Sequence, residues 1–258
     1  MTARGLHPAL LRALACAAAL ALPGCKEQAP DGGAGRPASV RAFPRADRPV
    51  SALGATQFST EDQRDHLGEA RTVMDLANIA PGFSVADIGA GEGYYTIRLA
   101  ERVGRKGRVL AEDIDPGAME RLGVRVQKER LDNVSIRIGL PEDPRLPEHS
   151  FDRVFMVHMY HEVAEPYAFL WNLRPSLRPG GSVIVVDVDR PTDRHGIPPA
   201  LLFCEFGAVG FRLVEFVRKP SVTGYYAKFE AAGPRPDPAA IVPCRNSAPS
   251  AGATATGK

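Results

Sequence analysis

Short apolar runs alternate with helical segments along most of this 258-residue chain, and this order constrains the fold more than any other feature. Strands that alternate with helices are typical of a parallel sheet covered on both faces. We predict strands at residues 84–88, 108–112, 134–138, 153–157, 182–187, 212–217 and 225–231. We predict helices at residues 59–78, 94–103, 116–131, 166–177 and 199–209.

The last two predicted strands are separated only by a short loop that contains Pro220 and Gly224. Strands joined by so short a connection run antiparallel, because a parallel pair needs a long crossover. The sequence therefore predicts an α/β fold with a seven-stranded, mostly parallel sheet that ends in an antiparallel hairpin. We place this domain at residues 58–232. Its first helix begins with Thr60 and Gln63, which have the spacing of a capping box.

The N-terminus has the features of a targeting segment. Basic residues precede an apolar run at residues 13–22, which is too short to span a bilayer. We therefore predict a signal peptide over residues 1–24. Residues 22–25 resemble a bacterial lipobox, although Pro23 departs from it, and the resemblance implies lipidation at Cys25. The expected location is the cell envelope, with a lipid anchor on the periplasmic side of a Gram-negative membrane; an unused signal would leave the protein in the cytoplasm.

The segments that flank the domain are rich in Pro, Gly and Ala and poor in large apolar side chains. Such segments bury too little surface to offset the entropy lost on ordering. We predict a disordered tether over residues 25–57 and a disordered tail over residues 233–258. Two cysteines, Cys204 and Cys244, lie outside the signal peptide and the lipidation site. We expect Cys204 to be a buried free thiol and Cys244 to be an incidental residue of the tail, so we do not expect a disulfide between them.

The charge balance excludes one class of partner. The chain has 32 basic and 30 acidic residues, so nothing suggests a nucleic-acid binder held by phosphate contacts. No cysteine or histidine spacing suggests a structural zinc site, and we expect no metal.

A glycine-rich turn, DIGAGEG at residues 87–93, lies between the first predicted strand and the helix that follows it. Glycines there allow unusual backbone angles and let a ligand approach closely. Asp87 would repel a pyrophosphate and favours S-adenosylmethionine, which carries an ammonium and a sulfonium. A tight turn that binds nothing is the alternative.

Residues 85–96 resemble motif I of the class I S-adenosylmethionine-dependent methyltransferases, and the similar order of elements extends over residues 60–230. The resemblance implies a Rossmann-like fold and S-adenosylmethionine as cofactor. The cofactor contacts that it implies in the turn are Asp87, Gly89, Ala90, Gly91 and Gly93.

Two further acids follow from the same resemblance. An acidic residue that ends the second strand takes both ribose hydroxyls in that family, and Asp113, followed by Ile114, is the matching position. Glu112 and Asp115 are alternatives for this role. Asp143 matches the acidic residue that often meets the adenine amino group.

Candidate catalytic residues follow the fourth predicted strand, where His158, Tyr160 and His161 precede Glu162. A neutral imidazole at His161 could take a proton from an acceptor, or it could only order the loop by hydrogen bonds. His195 could also line an acceptor pocket.

The function that we expect is methyl transfer from S-adenosylmethionine to an unidentified small or lipophilic acceptor. The thiol chemistry of arsenite-methylating relatives is not expected, because the domain has only Cys204. The alternative is a non-catalytic envelope lipoprotein that uses this fold to bind a nucleoside-like ligand or a protein partner. Export would separate the enzyme from S-adenosylmethionine, which is made in the cytoplasm.

Overall fold

The computed structural model describes residues 35–53, 60–218 and 224–246. Its strands are β1 (Ser84–Ile88), β2 (Arg108–Asp113), β3 (Val134–Ile138), β4 (Phe151–Val157), β5 (Leu177–Asp187), β6 (Phe211–Arg218) and β7 (Tyr225–Ala231). They form one sheet in the order β3-β2-β1-β4-β5-β7-β6. Strands β1 to β5 are parallel, and β7 is antiparallel to both β5 and β6. The predicted α/β fold, with its terminal hairpin, is confirmed.

Six α-helices lie in the described part of the chain. They are α1 (Glu61–His66), α2 (Glu69–Leu76), α3 (Tyr94–Val103), α4 (Pro116–Glu129), α5 (Pro166–Leu173) and α6 (Pro199–Ala208). The capping box is confirmed, because Thr60 Oγ1 accepts from Gln63 N and the Gln63 side chain accepts from Thr60 N. The single helix predicted over residues 59–78 is wrong. Gly68 adopts a left-handed φ of 66°, which breaks the segment into α1 and α2.

The two faces of the sheet are buried against different helices. Ala86 and Ile88 of β1 pack in a cluster with side chains of α5 and α6. Val85, the residue before Ala86, points to the other face and packs with side chains of α2 and α3. This alternation follows from the period of two in a strand. Both faces of the central strand β1 are therefore covered, which leaves its ends for a ligand.

The N-terminal segment, residues 36–53, is packed against the domain and is not the predicted disordered tether. Val40 is fully buried, and Phe43 meets the ring of Trp171 edge-on at 5.6 Å between centroids. Arg48 Nε donates to Glu205 Oε1 at 2.8 Å, with both side chains buried. The segment has few apolar side chains, and it leaves Val50 and Leu53 exposed, but it buries Val40 and Phe43 and adds an ion pair.

The C-terminal segment, residues 233–246, is also ordered, so the predicted disordered tail is wrong over this range. Ile241 and Cys244 are buried, and Cys244 N donates to the Tyr167 hydroxyl at 2.7 Å. Cys244 forms a disulfide with Cys204 of α6, with 6.0 Å between the Cα atoms. The expectation of two unpaired cysteines is therefore wrong. The bond fixes a segment whose composition alone would not order it.

The predicted signal peptide and Cys25 lie outside the described residues. Across the ranges that the structure describes, none of the helices combines the length and the apolar character needed to cross a membrane.

We expect loss of the Cys204–Cys244 bond to destabilise the protein by about 3–4 kcal/mol, because the bond closes a loop with a sequence separation of 40 residues. The double variant C204S/C244S should show a lower urea midpoint than the native protein. Reductant should lower the native midpoint toward that of the variant and leave the variant unchanged. Peptide mapping without reduction should recover the linked pair; full alkylation of both cysteines in unreduced protein would contradict the bond.

Candidate active site

The carboxyl ends of the parallel strands meet at one edge of the sheet, and chemistry-bearing residues collect there. Asp87 lies in β1, Asp113 ends β2, and Asp187 ends β5. His158 directly follows β4, which lies between β1 and β5. In open α/β sheets this edge is where ligands bind.

The glycine turn after β1 has the geometry of a ligand cradle. Gly89, Gly91 and Gly93 have left-handed φ angles of 66°, 55° and 89°. A Cβ on Gly93 would lie 2.3 Å from Leu122 Cδ1, so this glycine is required by packing. A Cβ on Gly91 would meet nothing within 4 Å, so the space in front of the turn is open. The turn can therefore receive a ligand at Gly91.

The end of β2 holds this turn in place. Ala90 N donates to the Glu112 carbonyl oxygen, and Gly91 N donates to Asp113 Oδ2, both at 2.9 Å. Asp115 instead accepts from Gly117 N at the start of α4, and its side chain is 59% exposed. Of the three acids considered for the ribose, Asp113 accepts from Gly91 N of the turn, Glu112 lies beside Gly89, and Asp115 is turned toward α4.

Asp87 is buried behind the turn, with 3% of its surface exposed. Its Oδ2 accepts a hydrogen bond from the Thr96 hydroxyl at 2.6 Å. Burial raises the pKa of Asp87 to about 6, although the Thr96 hydrogen bond acts in the opposite direction. The carboxylate is thus ionised at neutral pH and takes up a proton in mild acid.

Glu112 is a second buried acid, which the sequence offered only as an alternative for the ribose. Burial and the nearby Asp113 charge raise the pKa of Glu112 to about 8, so it is protonated at neutral pH. A Cβ on Gly139 would lie 1.6 Å from Glu112 Oε1, so the carboxyl group occupies space that only glycine leaves open. A glutamate opposite a glycine at the ends of two adjacent strands is the signal that could have found it.

The remaining predicted cofactor residues lie at the same edge. Ile114 follows Asp113 and is half-buried. Asp143 lies in the loop after β3, where its Oδ1 accepts from Arg145 N at 2.7 Å. One oxygen of Asp143 is therefore used within its own turn.

On the other side of the edge, His161 and Asp187 form a buried pair. His161 Nδ1 lies 3.0 Å from both carboxylate oxygens of Asp187, and neither side chain is exposed. Since an ionised carboxylate can only accept, Nδ1–H is the donor, and in the neutral imidazole Nε2 carries the lone pair. Asp187 also accepts from Val188 N at 2.7 Å. Sequence reasoning missed Asp187, because its partner comes from a different strand end.

Two further side chains extend this pair. His161 Nε2 lies 4.0 Å from Glu162 Oε1, and the rings of His161 and His195 meet edge-on with 5.6 Å between centroids. The loop that carries His195 is held by the N-terminal segment, since His195 N donates to Ser51 Oγ at 2.9 Å. The structure thus brings His195 to the candidate catalytic residues.

The structure gives no support to a catalytic role for Tyr160. Its ring is fully buried, and its hydroxyl donates to Glu205 Oε2 at 2.8 Å. Burial also raises the pKa of Tyr160 well above its ordinary value. Its contacts are those of a positioning residue, because Glu205 also pairs with Arg48 of the N-terminal segment.

His158 is also buried. Burial lowers its pKa, so the imidazole is neutral near pH 7, and its Nε2 lies 3.9 Å from Glu69 Oε1. Glu69 in turn accepts from the Tyr95 hydroxyl at 3.1 Å and pairs with Arg64. These contacts connect the loop that follows β4 to helices α1, α2 and α3.

Comparisons with known proteins find similarity to methyltransferases. Residues 85–181 match the family model described as a methyltransferase domain. The arsenite methyltransferase of Halobacterium salinarum is 28% identical over 172 residues, covering 60% of this chain and 44% of that protein. The ubiquinone/menaquinone biosynthesis C-methyltransferase UbiE of Hydrogenovibrio crunogenus is 31% identical over 128 residues, covering 47% of this chain and 48% of that protein.

A solved structure supports the fold. The S-adenosylmethionine-dependent methyltransferase of Aquifex aeolicus superposes with a TM-score of 0.56 at 22% identity, covering 66% of this chain and 97% of that one. The match covers slightly less than half of the length of each of the two curated relatives described above. The fold is thus that of the Rossmann-like methyltransferases, residues 85–181 match a methyltransferase domain, and S-adenosylmethionine is the cofactor that these similarities indicate.

We expect the affinity for S-adenosylmethionine to fall about tenfold from pH 7 to pH 5, because the pKa of Asp87 is about 6 and its protonation removes a charge that attracts the cation. Glu112 stays protonated over this range and does not contribute. Calorimetric titration should show weak, pH-independent binding for Asp87→Asn. The surface variant Asp75→Asn should behave like the native protein. Unchanged affinity in Asp87→Asn at pH 7 would place the cofactor elsewhere.

Proposed function

We propose that this protein is a methyltransferase that uses S-adenosylmethionine to methylate a small organic acceptor. One observation carries the proposal: the Asp113 carboxylate and the Gly91 amide meet at an open glycine turn, at the carboxyl edge of a parallel sheet. A carboxylate at an open turn suits a ribose, and the buried Asp87 behind it suits a cation.

The residues of the site form two sides, one that would bind the methyl donor and one that would face the methyl acceptor. Bound S-adenosylmethionine supplies an electrophilic methyl group on sulfur. The carboxylates of Asp87 and Asp113 give its side of the edge a negative charge, which favours a cationic ligand. His161 is on the acceptor side, and Asp187 fixes its tautomer and ring orientation. Holding donor and acceptor in line is worth about 7–11 kcal/mol of the barrier in well-oriented reactions.

The described residues favour an organic acceptor over arsenite. The names of the relatives indicate both kinds of substrate, arsenite in one and a quinone in the other. Thiolates are the ligands that soft ions prefer. Both cysteines of the described chain are joined in the Cys204–Cys244 disulfide, so the described domain offers no thiolate. A small, lipophilic acceptor of the quinol or phenol type is therefore the substrate class that we propose.

The test separates binding from turnover. The native protein should bind S-adenosylmethionine, and it should form S-adenosylhomocysteine when supplied with a member of a panel of quinols and phenols. His161→Gln should retain cofactor affinity and lose at least about a hundredfold in turnover, which is the lower range for a group that assists proton removal. The exposed His149→Gln serves as the matched control. A folded protein that binds no S-adenosylmethionine would overturn the proposal.

We also propose that the protein is exported and anchored by lipid at Cys25. The motif itself lies outside the described residues. The Cys204–Cys244 bond supports the proposal, because disulfides form and persist mainly in oxidising compartments such as the periplasm.

Acylation can be read by intact mass. We expect the mature protein to begin at Cys25 and to carry lipid, and Cys25→Ser should yield a species without lipid. The control variant Cys244→Ser should still be acylated, since it removes only the disulfide. A native protein that retains residues 1–24, or a Cys25→Ser variant that is still acylated, would contradict the anchor.

A further inference from the structure

We propose that His161, Glu162 and His195 bind one divalent transition-metal ion of the zinc type in the acceptor half of the site. The metal site stands on its own geometry, whereas the role that we give the ion rests on the proposed methyl transfer. No metal was expected from the sequence, because His195 lies 34 residues after His161 and no spacing motif joins them.

The three side chains already converge. Each offers one ligand atom, and these atoms all lie within 4.8 Å of one another. His161 Nε2 and Glu162 Oε1 are separated by 4.0 Å. Ligands bound at about 2.0–2.2 Å from a tetrahedral zinc ion lie about 3.3–3.6 Å apart. A small rotation of the Glu162 or His195 side chain would therefore complete the site.

The hydrogen bond from His161 to Asp187 is typical of a histidine that binds a metal ion. Asp187 accepts from Nδ1–H at 3.0 Å, which turns the Nε2 lone pair away from the carboxylate. Carboxylate, imidazole and metal in series are a recurrent arrangement, in which the carboxylate fixes the tautomer and raises ligand basicity. His161 is fully buried, so it would assist proton loss from the acceptor through a bound ion and not by direct contact. A ligand acts through its ion and needs no such contact.

The loop that supplies His195 is held in a costly conformation. His195 has a left-handed φ of 53°, although it is not a glycine. Its backbone N–H is fixed by Ser51, and its Nδ1 is a buried atom with no hydrogen-bond partner among the described residues. A Cβ on the next residue, Gly196, would lie 2.5 Å from the Val188 carbonyl oxygen, so the loop is pressed onto the end of β5. A bound ion would give the His195 imidazole a partner, and the free energy of metal binding would offset the cost of ordering the loop.

The donor set indicates which ion and what it would do. Two imidazoles and one carboxylate suit Zn²⁺ and related transition ions, whereas Mg²⁺ and Ca²⁺ prefer oxygen ligands. Three protein ligands leave a coordination position for water or substrate. Glu162 and His195 are only partly buried, so this position can face the acceptor. A coordinated acceptor hydroxyl would have a lowered pKa and would release its proton to solvent.

The test is metal binding by tag-free protein that has been dialysed against chelator. Titration calorimetry with Zn²⁺, and visible absorption with Co²⁺ as a spectroscopic probe, should show one equivalent bound. Glu162→Gln and His195→Gln should each weaken binding at least about tenfold, and Asp187→Asn should weaken it about 10–100-fold through His161. His149→Gln removes an exposed histidine and should leave the affinity unchanged.

The outcomes distinguish this site from the proposed function. Folded native protein that binds neither ion, or Glu162→Gln and His195→Gln variants that bind as tightly as the native protein, would overturn the metal site. Titration of the same samples with S-adenosylmethionine reports on the donor side independently. Cofactor binding without metal binding would remove only the metal site, and metal binding without cofactor binding would remove only the methyltransferase.

Discussion

The burial of carboxyl groups at the carboxyl edge of the sheet is the constraint on which the site depends. An isolated buried charge costs several kcal/mol, so each acid needs a partner or a proton. Asp87 has the Thr96 hydroxyl, Asp187 has the His161 imidazole and a backbone N–H, and Glu112 keeps its proton because its pKa is about 8. As a result, one side of the edge carries the ionised Asp87, which can attract a cation. The other side carries the His161 imidazole, which Asp187 orients.

A second buried interaction fixes the imidazole side from outside the sheet. Arg48 pairs with Glu205 and also donates to the carbonyl oxygen of Val163 at 3.0 Å, just after the His161 turn. Glu205 accepts from the Tyr160 hydroxyl, and its neighbour Cys204 is bonded to the C-terminal segment. Removing one partner of such a buried pair leaves the other charge uncompensated, which costs more than the pair contributes. The acceptor half therefore depends on segments from both ends of the chain.

The sequence predicted the regular elements well where hydrophobic pattern and turn residues agree. The predicted bounds 84–88, 94–103 and 225–231 are those of β1, α3 and β7. The break at Gly68 was missed, because the apolar stripe continues across it. The disulfide and the flanking segments were missed for a different reason. Their order comes from contacts between residues far apart in sequence, which composition does not record.

The same distinction applies within the site. The glycine turn and Asp113 are separated by one strand-helix unit, so a local motif contains both. The His161–Asp187 pair requires that β4 and β5 be neighbours, which only the sheet order establishes. His195 requires in addition that its loop fold back onto the end of β5, where Ser51 holds it. No spacing rule within the sequence encodes such a meeting of three segments.

The distribution of the site over the chain also bears on specificity. The stretch that matches the methyltransferase domain, residues 85–181, contains the glycine turn and Asp113. The groups that orient the imidazole side lie outside it: Asp187, His195, and the Arg48 and Ser51 contacts of the N-terminal segment. A shared fold carries many functions, and the site decides among them. The donor side thus lies within the matched stretch, whereas the acceptor side combines His161 and Glu162 of that stretch with segments that the domain match does not cover. The acceptor must be inferred from those segments and not from a relative's name.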